Sequence, residues 1–494
     1  MKKASAELFD LVKSLSKTEK RYFKLYAKRH FPQDNQYLLL FNLIDEQTEY
    51  DEKRIAKEFS RNKSLSHFAV VKKQLYENVL DALHRYDEYA HPEQQVRKGI
   101  HYCAVLLKKG LFAQCKKQII KYKALAYKLE KFESIIEIIE IEKRLISRQQ
   151  FTAHTHAQLE ELQKEQNNCL QQIQTANTYW LKSSRIFKMH YEKAIAPGKE
   201  NTALHELIGE QYFHEPEQAT NMRSKLDFLQ INALHAFVNA DAQKAYTLNA
   251  EFLQLLEAKP QFKILYADRY FSVLNNYLID SLQLQNYDEL LNGIKTLRSL
   301  TIQTEFKHIN NLEANVFRLS YLLEINYFIS TKQFAEIINY KNTIEEGLKK
   351  HKNKISGPGV ITMNYLIAYA FFCNGHFTEC LDEINMLLQT KDAETVIDIY
   401  MDARMMQLLC HFELHNYQLL ESLLISMQRL LTAQNIKQQT YKIILRYLKQ
   451  YSQKANKPSF ISFKKQLQEL AADKKEKIAF NNFDYVYWVT EVTK

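Results

Sequence analysis

The sequence implies an all-α chain built from helical hairpins stacked one on the next. Three features point that way. Glycine (9) and proline (7) are scarce in 494 residues, where average usage would supply roughly 35 and 25. Those residues punctuate sheets, hairpins and long loops, so their scarcity leaves little but helices with short links. The apolar period is helical, and a short polar turn followed by an aromatic returns at intervals of 40 to 47 residues. Such intervals mark repeated helix pairs, each unable to hide its apolar face alone.

The breakers divide the chain into three regions. Pro32 and Pro92 bracket an N-terminal helical module, residues 1–90. The repeat region, 93–455, is interrupted by Pro260 and "SGPG" (356–359), and its stretch 133–232, with "APGKENT" (196–202) and "HEPEQ" (214–218), is irregular. After "NKPS" (456–459) come a charged capping helix and an aromatic tail, 456–494. Proline ends a helix at the residue before it and starts a new one.

Between these marks the apolar residues form single stripes. Leu420, Leu424, Met427 and Leu431 fall at steps of four, three and four; Phe112, Cys115, Ile119 and Tyr122 form a second stripe, and Phe377, Cys380, Ile384 and Leu387 a third. This spacing keeps one helix face buried. The turns are "KKGLF" (108–112), "LQNY" (284–287), "TKQF" (331–334), "NGHF" (374–377) and "LHNY" (414–417); in "NADAQKAY" (239–246), Ala242 holds the aromatic's place. From Ala242 the turn recurs after 45, 47, 43 and 40 residues.

These segments resemble tetratricopeptide (TPR) repeats. Ala368 and Phe371 match the small and aromatic positions of the family's first helix, Gly375 its turn, and Phe377, Cys380, Ile384 and Leu387 its second helix. Cys103, Leu106, Gly110, Phe112, Cys115 and Ile119 repeat the register, as do Ala233, Ala236, Ala242 and Ala245. The resemblance covers about six hairpins and half the chain, and it implies a right-handed α-solenoid that binds a partner peptide or helix in its groove. The period exceeds the family's usual 34, so each helix gains about a turn. A HEAT-like solenoid fits the period better and the turn chemistry less well. The start "SKTEKRYFK" (16–24) is similar to that of bacterial TPR-type proteins, a likeness that brings no activity with it.

Cys373, His376 and Cys380 are spaced three and four apart, as soft metal ligands can be. The repeat register gives another account. Cys380 and Cys115 take the place where facing helices need a small side chain, and a free thiol packs as a small hydrophobe. His376 falls in the turn, and only Glu379 or Asp382 is at hand as a fourth ligand for a tetrahedral zinc. The six cysteines are unclustered, as free thiols of a reducing compartment are. No phosphate-cradling glycine loop, dinucleotide fingerprint or H-E-x-x-H pair is present. No cofactor, metal or catalytic residue is therefore assigned, and a non-enzyme is expected.

Two regions suggest partners. "RIAKEF", a polar turn and "SLSHFAVVKKQLYENVL" read as the last two helices of a helix-turn-helix, within spans of about 36–47, 51–59 and 65–86. Asp51 and Ser64 are expected N-caps. In a DNA complex Ser64, Ser66, His67 and Val70 would enter the major groove, and Lys53, Arg61, Lys63, Lys72 and Lys73 would meet phosphate. The same helices could instead cap the first hairpin. The second signal is charge. The chain carries +10 overall, with ten Lys/Arg against Glu130 alone in 97–132, and nine Lys/Arg and no acid in 422–468. Lys437, Lys442, Arg446 and Lys449 are the candidate contacts for a protein partner with an acidic surface.

The tail "AFNNFDYVYWVTEVTK" crowds Phe480, Phe483, Tyr485, Tyr487 and Trp488 together, and it is expected to pack back as a cap on the last hairpin or to serve as a docking segment. "MKKASAELFDLVKSL" lacks an apolar signal core and no run of eighteen uncharged apolar residues occurs, so a cytoplasmic protein is expected. The expected function is a non-catalytic interaction scaffold; the alternative is a DNA-binding regulator whose repeats sense a ligand or partner.

Overall fold

Every regular element is helical among the residues that the computed structural model describes, which are 6–492 except 32–35, 61–66, 91, 153, 193–208, 210–212, 353, 391–395, 453–458, 474–475 and 481. Contacts divide the chain into two units: residues 1–196, 200–231 and 256–266, and residues 197–199, 232–255 and 267–494.

The first unit begins with α1 (Glu7–Ser14), α2 (Lys17–His30), α3 (Gln36–Glu46), α4 (Glu52–Ser60) and α5 (Phe68–Ala90). The α2 start is a capping box: Ser16 Oγ accepts from the Glu19 N–H, and Glu19 accepts from the Ser16 N–H. Asp51 caps α4 as expected, accepting from the Arg54 N–H at 3.0 Å, whereas Ser64 lies outside the described residues. Phe23, Phe41, Ile55, Phe59, Val71, Leu75 and Val79 close the module's core.

Next come α6 (Pro92–Lys108), α7 (Phe112–Lys128), α8 (Phe132–Arg148) and α9 (His156–Tyr191), each packed on the one before, with α6 also touching α8. The expected irregularity of 133–232 holds only in part: α8 is a regular seventeen-residue helix, while α9 runs for 36 residues, about 54 Å at the standard rise. The helices α10 (Met222–Val238), α11 (Ala242–Glu257) and α12 (Pro260–Leu265) follow.

In the second unit α13 (Ala267–Gln283), α14 (Tyr287–Ser299), α15 (Leu312–Ser330), α16 (Phe334–Lys350), α17 (Gly357–Cys373), α18 (Phe377–Gln389), α19 (Ile397–Glu413), α20 (Tyr417–Ala433), α21 (Gln439–Ser452) and α22 (Phe460–Ala472) pack consecutively. Each of α13, α15 and α17 also touches the helix two further on, so the first helices of successive pairs form a row, as in a helical repeat.

One kind of turn recurs nine times among the described residues. In each, a helix is followed by a residue in the left-handed region: Gly110, Glu130, Gln150, Ala240, Gln285, Lys332, Gly375, His415 and Asn435. The next N–H then reaches back five residues, as from His376 to the Phe371 carbonyl at 3.0 Å and from Asn416 to that of His411 at 2.9 Å. This is the Schellman closure, which satisfies two of the carbonyls that a helix end leaves open. Only two of the nine positions are glycine, so the turns at Glu130 and Asn435 carry no glycine signal, and "QQF" (149–151) closes in the same way. A seventeen-residue helix and a three-residue turn make a twenty-residue step, as at 110, 130 and 150. Two steps give the 40-residue period; longer links between pairs extend it to 47.

Candidate functional site

The helix-turn-helix candidates scatter. Arg61, Lys63, Ser64 and Ser66 lie outside the described residues. Lys53, His67 and Lys73 are exposed, and Val70 is 51% exposed. Lys72 is different. Its ammonium donates to Glu52 Oε1 at 2.6 Å and to the Tyr50 hydroxyl at 2.9 Å, and it lies over the Tyr50 and Phe68 rings. Burial alone would lower its pKa, but the bonds to Glu52 and Tyr50 outweigh it and hold the pKa above the usual lysine value. Lys72 therefore ties α5 to the start of α4.

The cationic candidates do come together. Lys442, Arg446 and Lys449 follow at steps of four and three along α21, all exposed, and Lys437 is exposed two residues before the helix starts. Among the described residues none of the four is ion-paired. Tyr441, Ile444, Leu445, Tyr447 and Leu448 take the buried sides. The helix's own N-terminus is occupied: Glu476 accepts from the Gln439 and Thr440 N–H groups, both at 2.9 Å, and from Thr440 Oγ1 at 2.8 Å. Burial pushes the Glu476 carboxyl up, and these bonds override it and hold it below the usual range. The basic stretch 97–132 is partly consumed, since Lys123 bridges Glu142 and Glu165, and Arg97 and Lys131 share Glu93.

Cys373, His376 and Cys380 diverge. Cys380 is fully buried with its sulfur 3.4 Å from that of Cys410 and 3.5 Å from Met406 Sδ. His376 is exposed in the turn, 3.6 Å from Glu379. Cys115 is likewise fully buried and donates to the Cys103 carbonyl at 3.4 Å. Burial pushes the Cys103 thiol up to about 11 and the Cys373 thiol to about 12, so both stay protonated and act as packing groups.

The built site is the seat of the C-terminal segment. It reaches beyond the last hairpin, contrary to expectation, and crosses α17, α19 and α21. Phe483, Tyr485, Trp488, Val489 and Val492 are buried in the same core as those helices. The Phe483 ring meets Tyr369 and Phe372 at 5.3 and 5.2 Å, Tyr487 meets Phe334 at 5.3 Å, and Trp488 lies between Phe412 and Phe463. Polar bonds rim these anchors. Tyr365 donates to the Asn482 carbonyl at 3.1 Å, Asn482 Nδ2 donates to Asp402 Oδ2 at 2.9 Å, and Trp488 Nε1 donates to Glu413 at 2.7 Å. Lys332 lies 3.3 Å from Asp484 and over the Tyr487 ring.

Asp402 is the seat's titratable centre. Only 2% exposed, it also accepts from the Tyr441 hydroxyl at 3.3 Å. Burial pushes its carboxyl up to about 7, against the two hydrogen bonds and helped by Asp398. The aromatic tail stands out in the sequence, but Lys332, Asp402 and Glu413 do not stand out as its partners, because pairings across 75 to 152 residues leave no local pattern. A lone acid inside "YMDARMMQLLC" is the one available signal.

No helix among the described residues is long and apolar enough to cross a membrane. No protein-family model, curated protein or solved structure matches the chain.

Proposed function

We propose that this chain is a non-catalytic protein-interaction scaffold, a right-handed α-solenoid of TPR-like hairpins whose partner presents an acidic surface. The observation that carries this reading is the set of exposed cations, Lys437 just before α21 and Lys442, Arg446 and Lys449 along it, unpaired among the described residues and opposite the buried Tyr441, Ile444, Leu445, Tyr447 and Leu448. A cationic stripe on a rigid helix steers an anionic partner and fixes its register. The experiment is recovery of partners from the native cell at low salt, with the full chain and with a variant in which all four are Gln. The partner set retained by the native chain should be lost from the variant; an unchanged set contradicts the reading.

A second reading, a DNA-binding regulator, is favoured by the exposed row His67, Val70 and Lys73 at the start of α5. Its test is fluorescence anisotropy of labelled duplex DNA with the full chain. Salt-sensitive binding that Lys53→Glu and Lys73→Glu remove supports it; binding that they leave intact, or none, contradicts it.

A further inference from the structure

The seat of residues 482–492 has the anatomy of a peptide-recognition surface. Aromatic anchors fill it, with polar bonds among and around them from Asp402, Glu413 and Lys332, the arrangement in which a few aromatic side chains carry binding and polar contacts fix orientation. It is assembled from parts that are far apart in sequence: the α15–α16 turn with Lys332, then Tyr365 and Tyr369 of α17, Asp402 and Glu413 of α19, and Tyr441 of α21. The occupant's backbone is met largely through side-chain hydroxyls: Tyr365 donates to the Asn482 carbonyl, and the Tyr369 hydroxyl accepts from the Asp484 N–H at 3.4 Å.

The fit has one flaw. The Tyr485 hydroxyl is fully buried and has no hydrogen-bond partner among the described residues. A buried donor left unmade costs free energy that a phenylalanine of the same shape does not incur. The seat therefore suits a slightly different segment better than the one that it holds.

We propose that the face formed by α17, α19 and α21 is a docking groove for a partner segment with aromatic anchors around an acidic residue, and that residues 482–492 are its built-in competitor. This deepens the scaffold reading and rests on it: the partner's acid would take the place of Asp484 beside Lys332, and its rings those of Phe483, Tyr485 and Trp488. A tethered competitor acts at an effective concentration in the millimolar range, so the groove stays closed until a better-fitting segment arrives.

The test uses fluorescein-labelled peptides of sequence 481–494, read by anisotropy against the full chain. The chain is used unaltered and with Asn482→Ala and Asp484→Lys, which loosen the tethered segment and leave the seat intact. The native peptide should bind the loosened chain saturably, at least ten-fold tighter than the unaltered one. A Tyr485→Phe peptide should bind about ten-fold tighter than the native peptide, and an Asp484→Lys peptide at least ten-fold weaker. If the double variant does not fold, Asp484→Lys alone replaces it, and the Tyr485→Phe peptide is titrated into the unaltered chain up to millimolar concentration. Absence of saturable binding to every folded chain overturns the proposal, as does equal binding of the Asp484→Lys peptide. Neither outcome touches the α21 cations, which none of these changes alters, so partner recovery through those cations succeeds or fails independently of the groove.

Discussion

Two pairs of seventeen-residue helices, α6–α7 in the first unit and α17–α19 in the second, have the same length and different fates. α6 and α7 each bury four residues, at one face. α17 buries ten and α19 twelve. The difference lies in the number of neighbours. α7 keeps a broad wet face with Lys116, Lys117, Ile120 and Lys121 exposed, and its unit links helices with polar pegs such as Lys123 between Glu142 and Glu165. α17 and α19 are covered by their own partners, by each other and by the C-terminal segment; α17 is accordingly apolar on nearly every side, and α19 buries even its polar Asp402 and His411. The same repeat step thus serves as a two-sided wall in one place and as a closed core in another.

The largest consequence of that difference concerns the two tryptophans. Trp488, 1% exposed, fills the closed core, and Trp180, 54% exposed, does not. Trp488→Ala should cost about 3–5 kcal/mol of stability by urea denaturation followed by circular dichroism, and Trp180→Ala less than about 0.5 kcal/mol. Equal costs would mean that the C-terminal segment adds nothing to the core.

The next consequence is a pH dependence centred on Asp402 in the second unit. The Asp402 carboxyl is raised to about 7 in the folded chain against about 3.9 when unfolded. Folding therefore takes up a proton between those values. This contribution is fully present below pH 4 and is lost as pH rises through 7, with a slope of about 1.4 kcal/mol per pH unit at its steepest. Glu476 has the opposite sign and another window: its pKa is lowered, so its contribution is present above the usual carboxylate range and is lost as pH falls below it. Asp280, which burial raises to about 6 against its bond from Asn249, adds a slope of the same sign up to that pH, so Asp402→Asn should flatten the stability profile between pH 6 and pH 8; a slope that survives there assigns it to another group.

The smallest effects separate the turns, which both units share. Gly375 has φ of 75° and nothing within 4 Å of the position that a Cβ would take. Gly375→Ala should cost about 1 kcal/mol through backbone strain alone, and Ala240→Gly, at φ of 59°, should gain up to about 1 kcal/mol. Thermal midpoints of the two variants moving in opposite directions would establish the shared closure; movement in the same direction would not fit it.

The helical class and the repeat step were legible in the sequence because both are local: a stripe at steps of three and four, and a turn with an aromatic behind it. The turns at Glu130 and Asn435 leave no glycine mark because a Schellman closure needs a left-handed residue, not a glycine, and seven of the nine closures among the described residues accept that strain. The partners of Lys72 escape the sequence for a related reason. Its charge is visible in sequence, but its commitment to Glu52 and Tyr50 depends on how α4 and α5 pack. The cysteines were legible as spacers because Cys115 and Cys380 share a register position. The path of the tail across three helix pairs was not, since only the stacking brings Lys332, Asp402 and Glu413 beside it.

The most direct measurement is the fluorescence of a Trp180→Phe chain, whose single remaining indole is Trp488. A seated C-terminal segment predicts blue-shifted emission, protected from acrylamide and turning red only as the core unfolds. Red, freely quenched emission from a chain that circular dichroism shows to be fully helical would contradict it.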